Sequence, residues 1–317
     1  MPQYNRNDLE IAARNQHFTR DTFEKVLRLK TILDWMNVHE FLRAHLLLKG
    51  GTAINLTVFE LPRLSVDIDM DFVPNLPRED MLQARETISG IIKAYMESEG
   101  YAFSPASRIH HSLDALHFTY TNAAGNQDMI KIELNYSLRA HLFEPMEKTF
   151  TTDAFGVDST VVTVHPMEIF AAKANALLSR SAARDLYDFN QMIDRNMFAE
   201  QTDLFRKSII FYASISQEII DPSFGTDAID NLTFQKIHRD LFPVLKQEER
   251  RQTFDLEGRK EAAKEYIHTL MIPTEEEIEY MNRFSQKEYR PELLFDDPSI
   301  IERIIEHPMA LWKCCCY

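Results

Sequence analysis

Several things are scarce or missing in this chain, and each narrows what it can be. Only 8 glycines occur in 317 residues, which excludes a glycine-rich linker or a low-complexity array. The 3 cysteines are confined to the end, at Cys314, Cys315 and Cys316. Adjacent cysteines lack the spacer of a structural zinc site, and with Tyr317 last they make a poor prenylation box. A disordered end carrying free thiols is the expectation. No apolar run approaches the ~20 residues of a membrane helix, and MPQYNRNDLE has no apolar signal core. The expected setting is the cytoplasm, away from membranes. Positive charge is also short: 35 Lys and Arg stand against 49 Asp and Glu, for a net charge of −14. Proteins that bind nucleic acid indiscriminately neutralise phosphate with a basic surface. General duplex-DNA binding is therefore not expected, and any nucleic acid must be met by a local patch. Much of the acidity lies in the C-terminal third.

The apolar pattern is clear. Helical spacing runs through residues 8–40, with Asp21 and Glu24 placed as a capping box. HLLLKGG (45–51) reads as a strand ending in two glycines, TAINLTVFE (52–60) as a helix, and 78–99 as a second helix stopped by Gly100. Strand-like runs follow at 115–121, 129–136, 148–152 and 159–165. Pro166 opens a helix that can continue through AARDLYDFNQMID. Beyond about 196 everything reads as helix, with a turn at DPSFG (221–225) and a capping box at Thr274 and Glu277. An α+β fold follows. Strands and helices are mixed over residues 1–195 and helices dominate residues 196–317, which suggests two domains.

The chemistry concentrates in RLSVDIDMDF (63–72). Val66, Ile68, Met70 and Phe72 suit a core, so Asp67, Asp69 and Asp71 share the opposite face of the strand. Like charges so close repel and raise one another's pKa. Two acids alone would read as an exposed or edge-protecting face. Three become informative because of what precedes them. Gly50 and Gly51 end a strand where Thr52 opens a helix, and free backbone N–H groups there attract phosphate. Converging carboxylates suit magnesium, which takes oxygen ligands and leaves room for substrate phosphates. In MIKIELNY, Lys131, Glu133 and Asn135 share one face, so Glu133 can join the acids.

KGGTAINL followed by PRLSVDIDMDF resembles the signature of the AbiEii/AbiGii-type toxin nucleotidyltransferases, in the polymerase-beta-like nucleotidyltransferase superfamily. Arg63, Ser65, Asp67 and Asp69 fill the places of its Arg-x-Ser-x-Asp-hydrophobic-Asp strand. KANALLSRSAARDLYDF is similar to its downstream motif at Lys173, Arg180, Arg184, Asp185 and Asp188, and MIKIELN to the strand between. The tail EYRPELLF…HPMALWK resembles endings common in the family, so the likeness runs in patches from about 20 to 313. It implies a minimal nucleotidyltransferase domain, a mixed sheet flanked by helices, followed by a helical domain, with the site in the cleft between them. It also implies a bacterial toxin that transfers a nucleotide from an NTP to an acceptor hydroxyl, the 3′ end of tRNA being one acceptor used by relatives. Asp67 and Asp69 would hold magnesium or manganese, with Asp71 or Glu133 as third carboxylate. Gly50, Gly51, Thr52 and Ser65 would meet the nucleotide. Lys173, Arg180 and Arg184 would meet phosphate, and Asp185 would hold Arg184 or Lys173 in place; Asp188 competes for that role. On one continuous helix, Lys173, Arg180, Arg184 and Asp188 fall within roughly 80° of each other, which a solvated polar face explains equally well. The cognate antitoxin would be basic or DNA-binding, given this chain's acidity. The rival reading is an inactive nucleotide-binding module that keeps Gly50–Thr52 and Lys173 without turnover.

Overall fold

The computed structural model describes residues 4–150, 159–217, 220–251 and 254–315. The chain divides into two compact units. One comprises Met1–Arg139, Pro145–Val164 and Pro243–Gln252; the other comprises Ala140–Glu144, His165–Phe242 and Thr253–Tyr317. Residue 195, the expected domain boundary, lies within the second unit.

The first unit is built on a mixed sheet. Its strands are β1 (Leu46–Lys49), β2 (Asp67–Phe72), β3 (Ala102–Phe103), β4 (Arg108–Ile109), β5 (Leu113–Thr121), β6 (Gln127–Asn135), β7 (Met146–Thr149) and β8 (Thr160–Thr163). Their order is β3-β5-β6-β2-β1-β8-β7, with β4 also beside β5. β2 runs parallel to β6, and β1 parallel to β8. One face is apolar because alternate residues are: Ile68, Ile130, Ile132, Leu134, Leu116 and Phe118 are fully buried. Removing each such side chain from water contributes about 1.5–3 kcal/mol. Helices Arg20–Val38 and Arg78–Ser98 tie to that face through Lys25 to Asp128 and Arg85 to Asp114. The second of them ends as expected: Gly100 has φ 80°, Gly100 N–H donates to Glu97 and Tyr101 N–H to Met96.

Local expectations fail where a tertiary partner decides. Thr19, not Asp21, stands at the N-cap position of the helix Arg20–Val38, and its side chain makes no capping hydrogen bond. Glu24 is fully buried and binds Arg28 at 2.6 Å, while its other oxygen accepts from Ala123 N–H, so no capping box forms. The helix expected over 52–60 is Gly50–Thr57 and takes in both glycines. The strand expected over 148–152 is seen as Met146–Thr149, and Thr151 and Thr152 lie outside the described residues. The two-residue strands β3 and β4 gave no periodic signal.

The second unit is helical among the described residues. Helix Pro166–Ser179 packs on Thr202–Ser216, and Ala183–Asp194 packs on Leu256–Leu270. The continuous helix through 166–194 is two helices, since Arg180 and Ala182 are extended (φ −141° and −107°) with neither glycine nor proline nearby. The capping box at Thr274 and Glu277 is present. Cys314 is buried in the helix Pro308–Cys315, so it is not part of a disordered end; Cys316 and Tyr317 lie outside the described residues.

Candidate active site

Strand pairing brings the glycine turn onto the acids. β1 runs antiparallel to β2 with Lys49 opposite Asp69, so the chain leaves β1 at Gly50 directly beside that carboxylate. Gly50 has φ 68°, in the left-handed region, and a Cβ there would lie 2.8 Å from Asp69 Oδ2. Only glycine fits on both counts. At Gly51 a Cβ would lie 2.9 Å from Arg63 Nη2 and 3.0 Å from Ser65 Oγ. Arg63 is almost fully buried beneath this turn and donates to Leu64 O at 2.8 Å. Thr52 is buried, and its hydroxyl donates to the backbone carbonyl of Asp67. That proton ties the helix to β2, so the structure gives it a different partner from the phosphate expected of it.

The three aspartates differ. Asp71 is buried and paired with Lys49 Nζ at 2.5 Å. Asp69 is opposite Glu133 in the parallel β2–β6 register, and Asp67 is opposite Lys131. Burial, then the charges of Glu133 and Asp67, push Asp69 up to about 7, against a smaller pull from Lys49. Glu133 is bound by Lys131 at 2.9 Å. The carboxylates brought together are thus Asp67, Asp69 and Glu133, while Asp71 is neutralised within the sheet. Among the described residues no three His, Cys, Asp or Glu are arranged to hold a metal ion by themselves. The oxygen-only set still fits magnesium or manganese, because magnesium usually takes one or two carboxylates and completes its shell with water and substrate phosphate. The raised Asp69 is a charge that such a cation would relieve.

In the second unit the helix break at 180–182 lets Ala183–Asp194 fold back on Pro166–Ser179. Lys173 is buried, with Nζ 3.0 Å from Asp185 Oδ1 and 2.7 Å from Asp188 Oδ2. Arg180, exposed, donates to Asp185 Oδ2 at 2.9 Å. Burial alone would raise Asp185, but Lys173 and Arg180 outweigh it and hold the carboxyl below the usual range. Arg184 instead donates to the carbonyl of Asp240 at 2.9 Å. The solvated stripe is therefore not what forms. Asp185 and Asp188 both grip Lys173.

Lys49 was missed as a site residue. Its signal was available: a cation two positions after Leu47, on the same strand face, directly ahead of the glycines. Arg63 was placed by resemblance without a role, and its burial was not foreseeable from spacing.

A sequence model of the family described as nucleotidyl transferase AbiEii toxin, type IV toxin–antitoxin system, matches residues 31–269. In structure the chain is similar to MenT4, a nucleotidyltransferase toxin from Mycobacterium tuberculosis, with a TM-score of 0.65 and 15% sequence identity, over 98% of this chain and 99% of that one. That likeness establishes the fold. Among curated proteins no sequence match is found.

Proposed function

The chain belongs to the AbiEii nucleotidyltransferase toxin family of type IV toxin–antitoxin systems, and from that premise we propose that it moves a nucleotide from an NTP to a hydroxyl of an RNA acceptor, with magnesium or manganese at Asp67 and Asp69. Membership implies a cognate antitoxin as partner. The observation that carries the reading is the contact of Gly50 with Asp69. It puts a glycine turn at a helix start, of the kind that can receive phosphate, against a carboxylate whose pKa is driven up to about 7.

The backbone at Gly50 and Gly51 receives triphosphate oxygens, aided by the free N–H groups of a helix start. Ser65, beside Gly51, adds a hydroxyl on the same side. Asp67 and Asp69 would hold a divalent cation, which would supply activation of the attacking hydroxyl and charge neutralisation of the leaving pyrophosphate. In the transfer, the acceptor oxygen bonds to the α-phosphorus as the bond to the α–β bridging oxygen breaks. Pyrophosphate leaves with that electron pair, and the hydroxyl proton passes to Glu133, the carboxylate opposite Asp69. In the helical unit, Arg180 stays exposed while anchored on Asp185, and we assign it to substrate phosphate, with Lys173 holding Asp185 in place. The 3′ end of tRNA is the acceptor we favour, and the cytoplasm the setting.

The test is incubation with each labelled NTP, magnesium and total RNA. Label in RNA supports the reading. Saturable nucleotide binding with no labelled product would make the chain an inactive binding module.

A further inference from the structure

The β5–β6 hairpin sorts its charges by face. Asp114 and Asp128 lie on the helix-covered face, where Arg85 binds the first and Lys25 and Tyr120 bind the second. On the other face, which carries Glu133, the ten odd-numbered positions of β5 and β6 include no carboxylate except Glu133 itself. Register extends this face outward from the acids. Asp69, Glu133, Ala115 and Arg108 are successive partners on β2, β6, β5 and β4, and Asp67, Lys131 and His117 form the adjacent row. At ~4.8 Å per strand, Arg108 stands about 14 Å from Asp69 along the first row.

The groups on this face are set up for a ligand. Arg108 is exposed, and its guanidinium is steadied by the carbonyls of Pro105 and Ser107 at 3.1 and 3.0 Å. Among the described residues no carboxylate pairs with it. His117 is half-buried, and its Nδ1 is buried without a hydrogen-bond partner. Ala115 leaves a low step between them. In a chain of net charge −14, a strip carrying an exposed Arg108, and Lys131 whose ammonium bridges to Glu133 at 2.9 Å, complements a polyanion that must deliver one end to that acid.

We propose that this face seats the acceptor as an unpaired RNA end, its phosphates on Arg108 and Lys131, a base against His117, and its terminal hydroxyl toward Asp69 and Glu133. The proposal rests on the transfer reading above and adds the surface that presents the substrate. Unpaired ends suit it because their bases are free to stack on ring side chains while the backbone follows the cations.

The probe is a short fluorescent single-stranded RNA titrated into the full chain carrying Asp69→Asn, so that binding is read without transfer. Adding Arg108→Glu should weaken binding roughly tenfold and flatten the plot of log affinity against log salt by about 0.7 for the lost phosphate contact. His117→Ala should weaken it several-fold with the salt slope unchanged. With Asp69 restored, Arg108→Glu should raise KM for RNA by the same factor and leave KM for the NTP alone. Melting temperature checks that the exposed substitution leaves the fold intact. Unchanged affinity and slope in Arg108→Glu, or a parent that fails to bind the RNA at low salt, overturns the proposal. If RNA binds through Arg108 but no nucleotide is ever transferred, the transfer reading falls and the seat stands. Transfer indifferent to Arg108→Glu removes the seat alone.

Discussion

Lys49 Nζ lies 2.5 Å from Asp71 Oδ1, and this pair separates the three aspartates of β2 into two kinds. Asp71 has its cation built in and is buried, whereas Asp69 faces Glu133 and has its pKa driven up. Asp71→Asn should therefore keep nucleotide transfer within a few-fold of wild type, provided the Lys49 ammonium retains the amide oxygen. Lys49→Met leaves Asp71 buried and uncompensated, and should cost about 1–3 kcal/mol. The double variant should recover most of that loss. Chemical denaturation of the three variants reads the cycle, and no recovery in the double variant would show that the pair does not act as a unit.

Gly50→Ala attacks the contact between turn and acid. The backbone at φ 68° disfavours any side chain by about 1–2 kcal/mol, and the new methyl would press on Asp69 Oδ2. Transfer should fall at least a hundredfold, with a loss of stability of that size. Gly51→Ala, which has ordinary φ and meets only the ends of Arg63 and Ser65, should be milder. Paired rate and melting measurements decide the order; equal activity in both variants would refute it.

Removing Lys173 tests function poorly, because it also unpairs two carboxylates. Asp185 and Asp188 are buried against it at 3.0 and 2.7 Å. Breaking a buried pair by deleting one partner typically costs about 3–5 kcal/mol, so Lys173→Met should melt well below wild type. Adding Asp185→Asn and Asp188→Asn to it should raise the melting temperature again. If Lys173→Met melts like wild type, the cluster is not holding the two helices together.

Which parts were legible in the sequence follows from what each rests on. β2, β6 and the glycine turn were readable because alternation and Gly-Gly punctuation are local. The pairing of Asp69 with Glu133 is set by register between strands some sixty residues apart, which alternation on either strand alone cannot specify. Alternation therefore does not separate Asp71 from Glu133, whereas the Lys49 ammonium on Asp71 does. The break at 180–182 carries no helix-breaking residue. The fold-back buries Lys173 between two acids, and that burial is visible only in three dimensions. Glu24 illustrates the same limit: its spacing from Asp21 imitated a cap, but a buried arginine claimed it.

Duplex DNA should not bind tightly at physiological salt. The net charge of −14 opposes it, and the cations on the Glu133 face form a short strip. A gel-shift titration with random-sequence duplex checks this, and a salt-resistant submicromolar complex would contradict it.

The last prediction concerns pH and metal. Asp69 is an acid whose folded-state pKa is raised to about 7, by burial first and then by Glu133 and Asp67. In the unfolded chain it ionises near the ordinary carboxylate value, about 4. Between those values the native state binds more protons than the unfolded one, so Asp69 makes the metal-free protein less stable as pH rises from about 4 to 7. Above 7 the penalty is complete and constant. Asp69→Asn removes it, so the metal-free variant should melt above wild type at pH 8, and the difference should shrink toward pH 4. Magnesium with NTP should reverse the order at pH 8, stabilising wild type by mass action and the variant much less. Transfer by Asp69→Asn should be abolished throughout. Melting curves at several pH values, with and without magnesium and NTP, and turnover at each, separate this from a structural role. A strand aspartate kept only for its hydrogen bonds would make the variant less stable at every pH, without abolishing transfer.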